Sequence, residues 1–173
     1  MPVSPEEIYK YLISRGVSDG HAVGILANIK AESGFDPEAF NLDDKGEPAS
    51  GFFQHRADRE EKLLEFLGEE GLANWRGQID FALQEREGRQ YLAQNFASGE
   101  EASKAFTRNF ERPADKERKA KERAADVILF DDFREQELQL EDGTPIPLLD
   151  RTPGTHGGSF VSEEDSVEGI VDA

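Results

Sequence analysis

Helix starts and stops stand close together over residues 1–137, and this punctuation limits the chain to a bundle of short helices. In "SPEEIYKYLISRG", Ser4 is placed to cap, Pro5 suits the first helical position and Glu7 completes a capping box. Ile8, Tyr11 and Leu12 then share one face before Gly16 stops the helix. Ser18 or Asp19 starts a second helix that runs to about Ser33, where Gly34 ends it. Further helices are predicted near 58–67 (Leu63, Leu64 and Leu67 inward), over about 75–87 (Trp75, Ile79, Ala82, Leu83) and from a second capping box at Ser98 and Glu101 through Phe110. A last helix is predicted over about 114–134, apolar along Ala120, Ala124, Val127 and Ile128, with a short turn around Tyr91 and Leu92. The expected class is therefore mainly α.

Residues 34–56 interrupt this pattern with Gly34, Pro37, Gly46, Pro48 and Gly51. The segment reads as a loop-rich connection or a short hairpin, and ordered loops of that length usually carry function. Just before it, the apolar stripe Ile25, Leu26, Ile29 continues onto Glu32. A carboxyl in apolar surroundings, at the negative end of a helix dipole, holds its proton more tightly. That is the property a general acid needs in glycoside cleavage. Spacing alone favours the plainer reading, a carboxylate that reaches past the helix end to water.

After residue 137 the character changes. Segment 138–173 holds eight acidic residues against Arg151 alone, with apolar clips "IPLL", "SFV" and "GIV" spaced along it. Such composition does not build its own core. Two units are expected: a folded domain over 1–137, and an extended acidic tail over 138–173 that is either solvated or a strap docking on a partner. The formal net charge of −17 argues against nucleic acid as partner. No segment has the roughly 18 apolar residues of a membrane helix, and "MPVSPEEIYKYL" lacks the basic and apolar regions of a signal peptide. There is no Cys, and His21, His55 and His156 lack metal-ligand spacing, so neither metal nor cofactor is expected.

Two stretches, "NIKAESGFDPEAFN" and "ASGFFQHRADREEKLLEF", resemble the phage tail lysozyme family of the lysozyme and lytic transglycosylase superfamily. "NFERPADKERKAKERAADV" resembles the family's closing segment, so the likeness spans about residues 5–130. The resemblance implies a lysozyme-like helical domain in which Glu32, followed by Ser33, is the catalytic acid. It also implies that Gly51-Phe52-Phe53-Gln54 is a turn lining a sugar cleft, with His55 where the family commonly has Trp.

A second carboxylate, where hydrolysis uses one, is sought at Asp43 or Asp44, with Asp36 and Asp58 behind them. Asp before Lys-Gly is also ordinary turn chemistry. A lytic transglycosylase needs no second carboxylate, because the 6-hydroxyl of the substrate attacks in place of water. Candidate substrate contacts are Ser33, Phe53, Gln54 and Arg56. For Gln54 a loop-bracing amide is the alternative; for Arg56 and Arg59, plain surface charge. Glu111 in "FERP" reads as a brace for its loop or for Arg112, and Trp75, Phe96, Phe106 and Phe110 read as core.

The expected activity is cleavage of the β-1,4 bond between N-acetylmuramic acid and N-acetylglucosamine in bacterial peptidoglycan. The expected setting is a phage or phage-like particle acting at the host periplasm or cell wall, with 138–173 docked on other virion or tail proteins. A lysozyme-fold virion module without activity, and a free endolysin, are the alternatives.

Overall fold

A computed structural model describes residues 1–42, 46–111 and 115–136, with side chains to Phe133. Its centre is one helix. α1 (Pro5–Ser14) leads through a turn at Gly16 into α2 (Asp19–Ser33), which is buried from His21 to Ile29 on every side. The expected one-sided stripe is therefore a fully enclosed helix, as a helix apolar all round must be. α1, α6 (Gly99–Phe106), α7 (Lys116–Ala125) and the 3-10 segment Asp126–Phe130 pack around it.

The closest approach is between α2 and α6. A Cβ on Gly24 would lie 2.7 Å from Tyr91 Oη and 2.8 Å from the backbone nitrogen of Ser103, so only glycine lets the helices meet there.

Gly34 ends α2 in the left-handed conformation at φ 58°. The connection that follows contains β1 (Phe40–Leu42), β2 (Pro48–Ser50) and β3 (His55–Arg56), paired antiparallel in that order. α3 (Asp58–Leu67) follows as expected, with Leu63 and Leu67 buried and Leu64, contrary to expectation, exposed.

The helix expected over 75–87 is two helices, α4 (Trp75–Gln84) and α5 (Arg86–Leu92). Glu85 between them is extended (φ −57°, ψ 155°), and the chain folds back so tightly that a Cβ on Gly88 would lie 1.9 Å from Ala82 O.

The cap at Ser98 forms, its Oγ accepting from Glu101 N, while Glu101 Oε2 accepts from Ala97 N, one residue before the cap. At Ser4 the side chain makes no cap bond. α6 does not run on to Phe110 as an α-helix but widens into a π turn, Thr107–Glu111. The last predicted helix is broken into α7, the 3-10 segment and α8 (Asp131–Gln136). The tighter winding turns Val127 and Phe130 inward and leaves Ile128 73 % exposed. The chain is thus mainly α with a small antiparallel sheet. The expected tail, 138–173, lies outside the described residues.

Candidate active site

Glu32 sits in the last turn of α2, and its setting is not the apolar one expected. Its Oε1 is bonded by Arg123 Nη2, and its side chain keeps 19 % exposure against 4 % for Arg123. The buried face of α2 supplies the rest of the arrangement. Asn28, one turn before Glu32, is fully buried and accepts from Arg123 Nη1 at 2.8 Å and from Thr107 Oγ1 at 2.7 Å. Its Nδ2 donates to Gly24 O at 2.8 Å. The carboxylate of Glu32 is thus fixed by a buried arginine that is itself fixed by a buried amide. Lys30, on another side of the same helix, pairs with Asp126 at 2.9 Å and ties α2 to the 3-10 segment.

A carboxyl oxygen shut away from water is found instead at Glu111, at the end of the π turn. Its Oε1 is buried and has no hydrogen-bond partner among the described residues. Burial pushes the carboxyl well above the ordinary range and the charge of Glu32 adds to this, while Arg123 and Arg59 oppose it.

A second, partly buried cluster joins β3, α3 and the α4–α5 break. Arg59 donates to both oxygens of Glu85, from Nε at 2.8 Å and Nη2 at 2.7 Å, and His55 Nε2 lies 3.0 Å from Glu85 Oε2. Burial alone would raise the Glu85 carboxyl. The hydrogen bonds from Arg59 and His55 overcome this and hold it at about 2. Glu85 therefore only accepts, and Nε2 of His55 carries the proton. His55 Nδ1 is left bare and buried with no partner among the described residues, and burial lowers the proton affinity of this imidazole.

The remaining sequence candidates fall in different places. Ser33 Oγ donates back to Ile29 O at 3.0 Å within the helix. Phe53, expected in the sugar cleft, is a core residue, 2 % exposed and packed on Phe106 and Phe110. It belongs there because the turn aims it at the widening of α6, where the two rings stack. Gln54 takes a left-handed φ of 49°. Its amide holds the loop, donating to Ala39 O and Gly51 O and accepting from Asn41 Nδ2. Arg56 is exposed on β3, opposite Ala49.

Asp36 caps a local turn by accepting from Glu38 N, and Asp58 lies in the first turn of α3. Asp43 and Asp44 lie outside the described residues. A surface hollow lined by Glu70, Ala73, Asn74, Trp75 and Arg76 holds none of the predicted site residues. Trp75 there packs edge-on against Tyr11 and is partly buried at the edge of the core, not inside it as expected.

Asn28 and Arg123 were not singled out by sequence reasoning. Asn28 left a usable signal: it is the polar residue four before Glu32 in an otherwise apolar run. Arg123 left none, being one charge among many in "KERKAKERAAD".

The chain is thus mainly α, with a buried central helix that ends at Glu32 and a small antiparallel sheet in the connection that follows it. The phage tail lysozyme family model matches residues 4–129, and the chain belongs to that family. No curated protein and no solved structure matches it. The chain is a lysozyme-like phage protein, and among the described residues no helix is long and apolar enough to cross a membrane.

Proposed function

We propose that the protein is a peptidoglycan glycosidase of a phage or phage-like particle, cleaving the β-1,4 bond between N-acetylmuramic acid and N-acetylglucosamine with Glu32 as general acid. The observation that carries this reading is the fixing of Glu32 at the helix end: Oε1 is held by Arg123 while part of the side chain stays exposed. A group held in one orientation at an accessible surface is placed to meet the leaving oxygen of a glycan, and giving that oxygen a proton requires the bound sugar to draw Glu32 away from Arg123. The bond from C1 to that oxygen then breaks. Either water adds to C1, leaving a reducing end, or the sugar's own 6-hydroxyl adds, leaving a 1,6-anhydro end. Backbone groups of the Gly51–Gln54 turn, braced by the Gln54 amide, and the exposed Arg56 are the proposed contacts to the glycan and its acidic substituents. Asp43 and Asp44 are the proposed place to seek a carboxylate that activates water.

The second reading, a lysozyme-fold virion module without activity, is favoured by the same ion pair. Arg123 is buried and requires a counter-charge, so Glu32 has a structural reason to be present even without catalysis. Digestion of purified sacculi separates the readings. The catalytic reading expects muropeptide release by the wild type and none by Glu32→Gln, with the fold intact by circular dichroism. No release by the folded wild type supports the inactive module. Mass spectrometry of the fragments assigns the chemistry, since reducing ends and 1,6-anhydro ends differ by one water.

A further inference from the structure

The hollow beside Trp75 belongs neither to the core nor to the surroundings of Glu32. It encloses about 430 Å³ between the start of α4 and the 3-10 segment Gly68–Ala73, a size that takes a short peptide segment. Arg76 lies over the Trp75 ring, its guanidinium carbon 4.2 Å from the ring centroid, and 5.8 Å from that of Tyr11. Stacking of this kind holds a guanidinium in place and leaves its N–H groups to donate elsewhere. Arg76 makes no ion pair with a described residue. The carboxylate one turn on, Asp80, is already taken by Tyr11 Oη at 2.9 Å and Arg15 Nε at 2.8 Å. In a chain with 37 acidic residues against 20 Lys and Arg, where Arg15, Arg59, Arg108, Arg118 and Arg123 each hold a carboxylate, a stacked cation without one stands out. Glu70 lines the same hollow, exposed and likewise without an ion pair among the described residues. The helix end itself is closed, since Asn74 Oδ1 accepts from Gly77 N at 2.8 Å. What the hollow offers is therefore one cation, one anion and a half-buried indole.

This wall is tied to the turn proposed to meet the glycan. Gln78 accepts from Phe52 N at 2.8 Å and donates to Leu72 O at 2.7 Å and Pro37 O at 2.8 Å. One buried amide thus joins the Gly51–Gln54 turn, the 3-10 segment and the residues that follow α2. The Phe52 and Trp75 ring centroids are 6.4 Å apart, and a Cβ on Gly51 would lie 3.4 Å from Leu72 Cδ2.

We infer that the hollow is a subsite for the stem peptide of peptidoglycan, with Arg76 taking a peptide carboxylate, Glu70 the free side-chain ammonium, and Trp75 the aliphatic chain that bears it. The inference deepens the reading of peptidoglycan as substrate and rests on it. Stem peptides branch from the same strand that the turn would hold. They carry carboxylates, and they carry a primary amine on the residue through which they are cross-linked. A neutral sugar would use Trp75 and leave both charges idle, and a polyanion would meet Glu70. A guanidinium already seated on a ring loses little freedom when it takes a carboxylate. Two charges of opposite sign also read the order of charge along a peptide. Cross-linking turns the amine into an amide, so the subsite favours strands whose stems are not cross-linked.

The test is a binding titration on the full chain, with the side-chain N–H signals of Trp75 and Arg76 followed by NMR. The probes are two synthetic stem pentapeptides, one with lysine and one with diaminopimelate at the third position, then tetra-alanine, and a peptide-free tetramer of N-acetylglucosamine. At least one stem peptide should shift both signals to saturation, and the other two probes should not. Arg76→Gln and Glu70→Gln should each weaken stem binding about three- to fivefold, the scale of an exposed charged contact. Acetylating the side-chain amine of the peptide should weaken binding to the wild type by the Glu70→Gln factor and add nothing in that variant. No saturable shift with either stem peptide overturns the inference. So do equal binding of tetra-alanine, saturation by the sugar tetramer in place of the peptides, or undiminished binding in both variants. Stem binding by a protein that digests no sacculi removes the catalytic reading and leaves the subsite; digestion without stem binding removes the subsite alone.

Discussion

The ion pair of Glu85 permits a worked prediction of stability against pH. Glu85→Gln keeps the shape and an acceptor for Arg59 but removes the charge. The carboxyl is held at about 2 against an ordinary 4.5. In free energy that difference is about 3 kcal/mol. The Glu85 side chain is only 12 % exposed, but Arg59 is 36 % exposed, so solvent screens part of the attraction. A net contribution of about 1–2 kcal/mol is expected. Because the folded value is depressed, this stability is fully present above pH 4.5 and is lost as the pH falls toward about 2. The assay is urea unfolding of both proteins at steps from pH 7 to pH 3. Wild type and variant should differ by about 1–2 kcal/mol at pH 7, and by roughly half of that at pH 3. A gap that stays constant across the range would refute the reasoning, since packing rather than charge would then account for it.

Other expected outcomes follow from single contacts. Gly88→Ala brings a Cβ to 1.9 Å from Ala82 O, so a loss of about 3 kcal/mol or more is expected in chemical unfolding; a loss below about 1 kcal/mol would mean the α4–α5 turn is not fixed as described. Arg123→Met leaves Glu32 without its partner and removes a donor from Asn28, at a cost of about 3 kcal/mol or more measured the same way. Unchanged stability would show that the pair contributes nothing to the fold. Truncation after residue 137 should leave sacculus digestion by the isolated protein unchanged and reduce its incorporation into particles. Loss of thermal stability with incorporation intact would show instead that the tail serves its own domain.

Much of the architecture was legible because it is written locally. Gly16, Gly34 and the Ser98 cap mark boundaries through backbone conformation and capping, which neighbouring residues decide. The apolar run of α2 showed a buried helix and placed Glu32 at its end. The breaks that shape the site are of another kind. At Glu85 the break accompanies bonds to Arg59 and His55, distant in sequence, and a close approach to Ala82 that Gly88 permits. The π turn likewise depends on Asn28 and Arg59 meeting Thr107 and Phe110.

The electrostatics were misplaced for the same reason. Helical phase put Glu32 on an apolar stripe, with a carboxylate reaching water as the plainer reading; in the structure Arg123 comes in from α7 to bind it, and the buried carboxyl oxygen without a partner among the described residues is Glu111 Oε1. Phe53 stood in a motif that faces sugar by resemblance, and the widened end of α6 draws it into the core.

The account stands most directly on Glu32 as an acid that breaks a glycan. Purified sacculi digested side by side with wild type and Glu32→Gln, with soluble muropeptides counted over time, measure this. Steady release is expected from the wild type, and a rate lower by a factor of about 100 or more from a variant with unchanged circular dichroism. Equal release by the two proteins would contradict it.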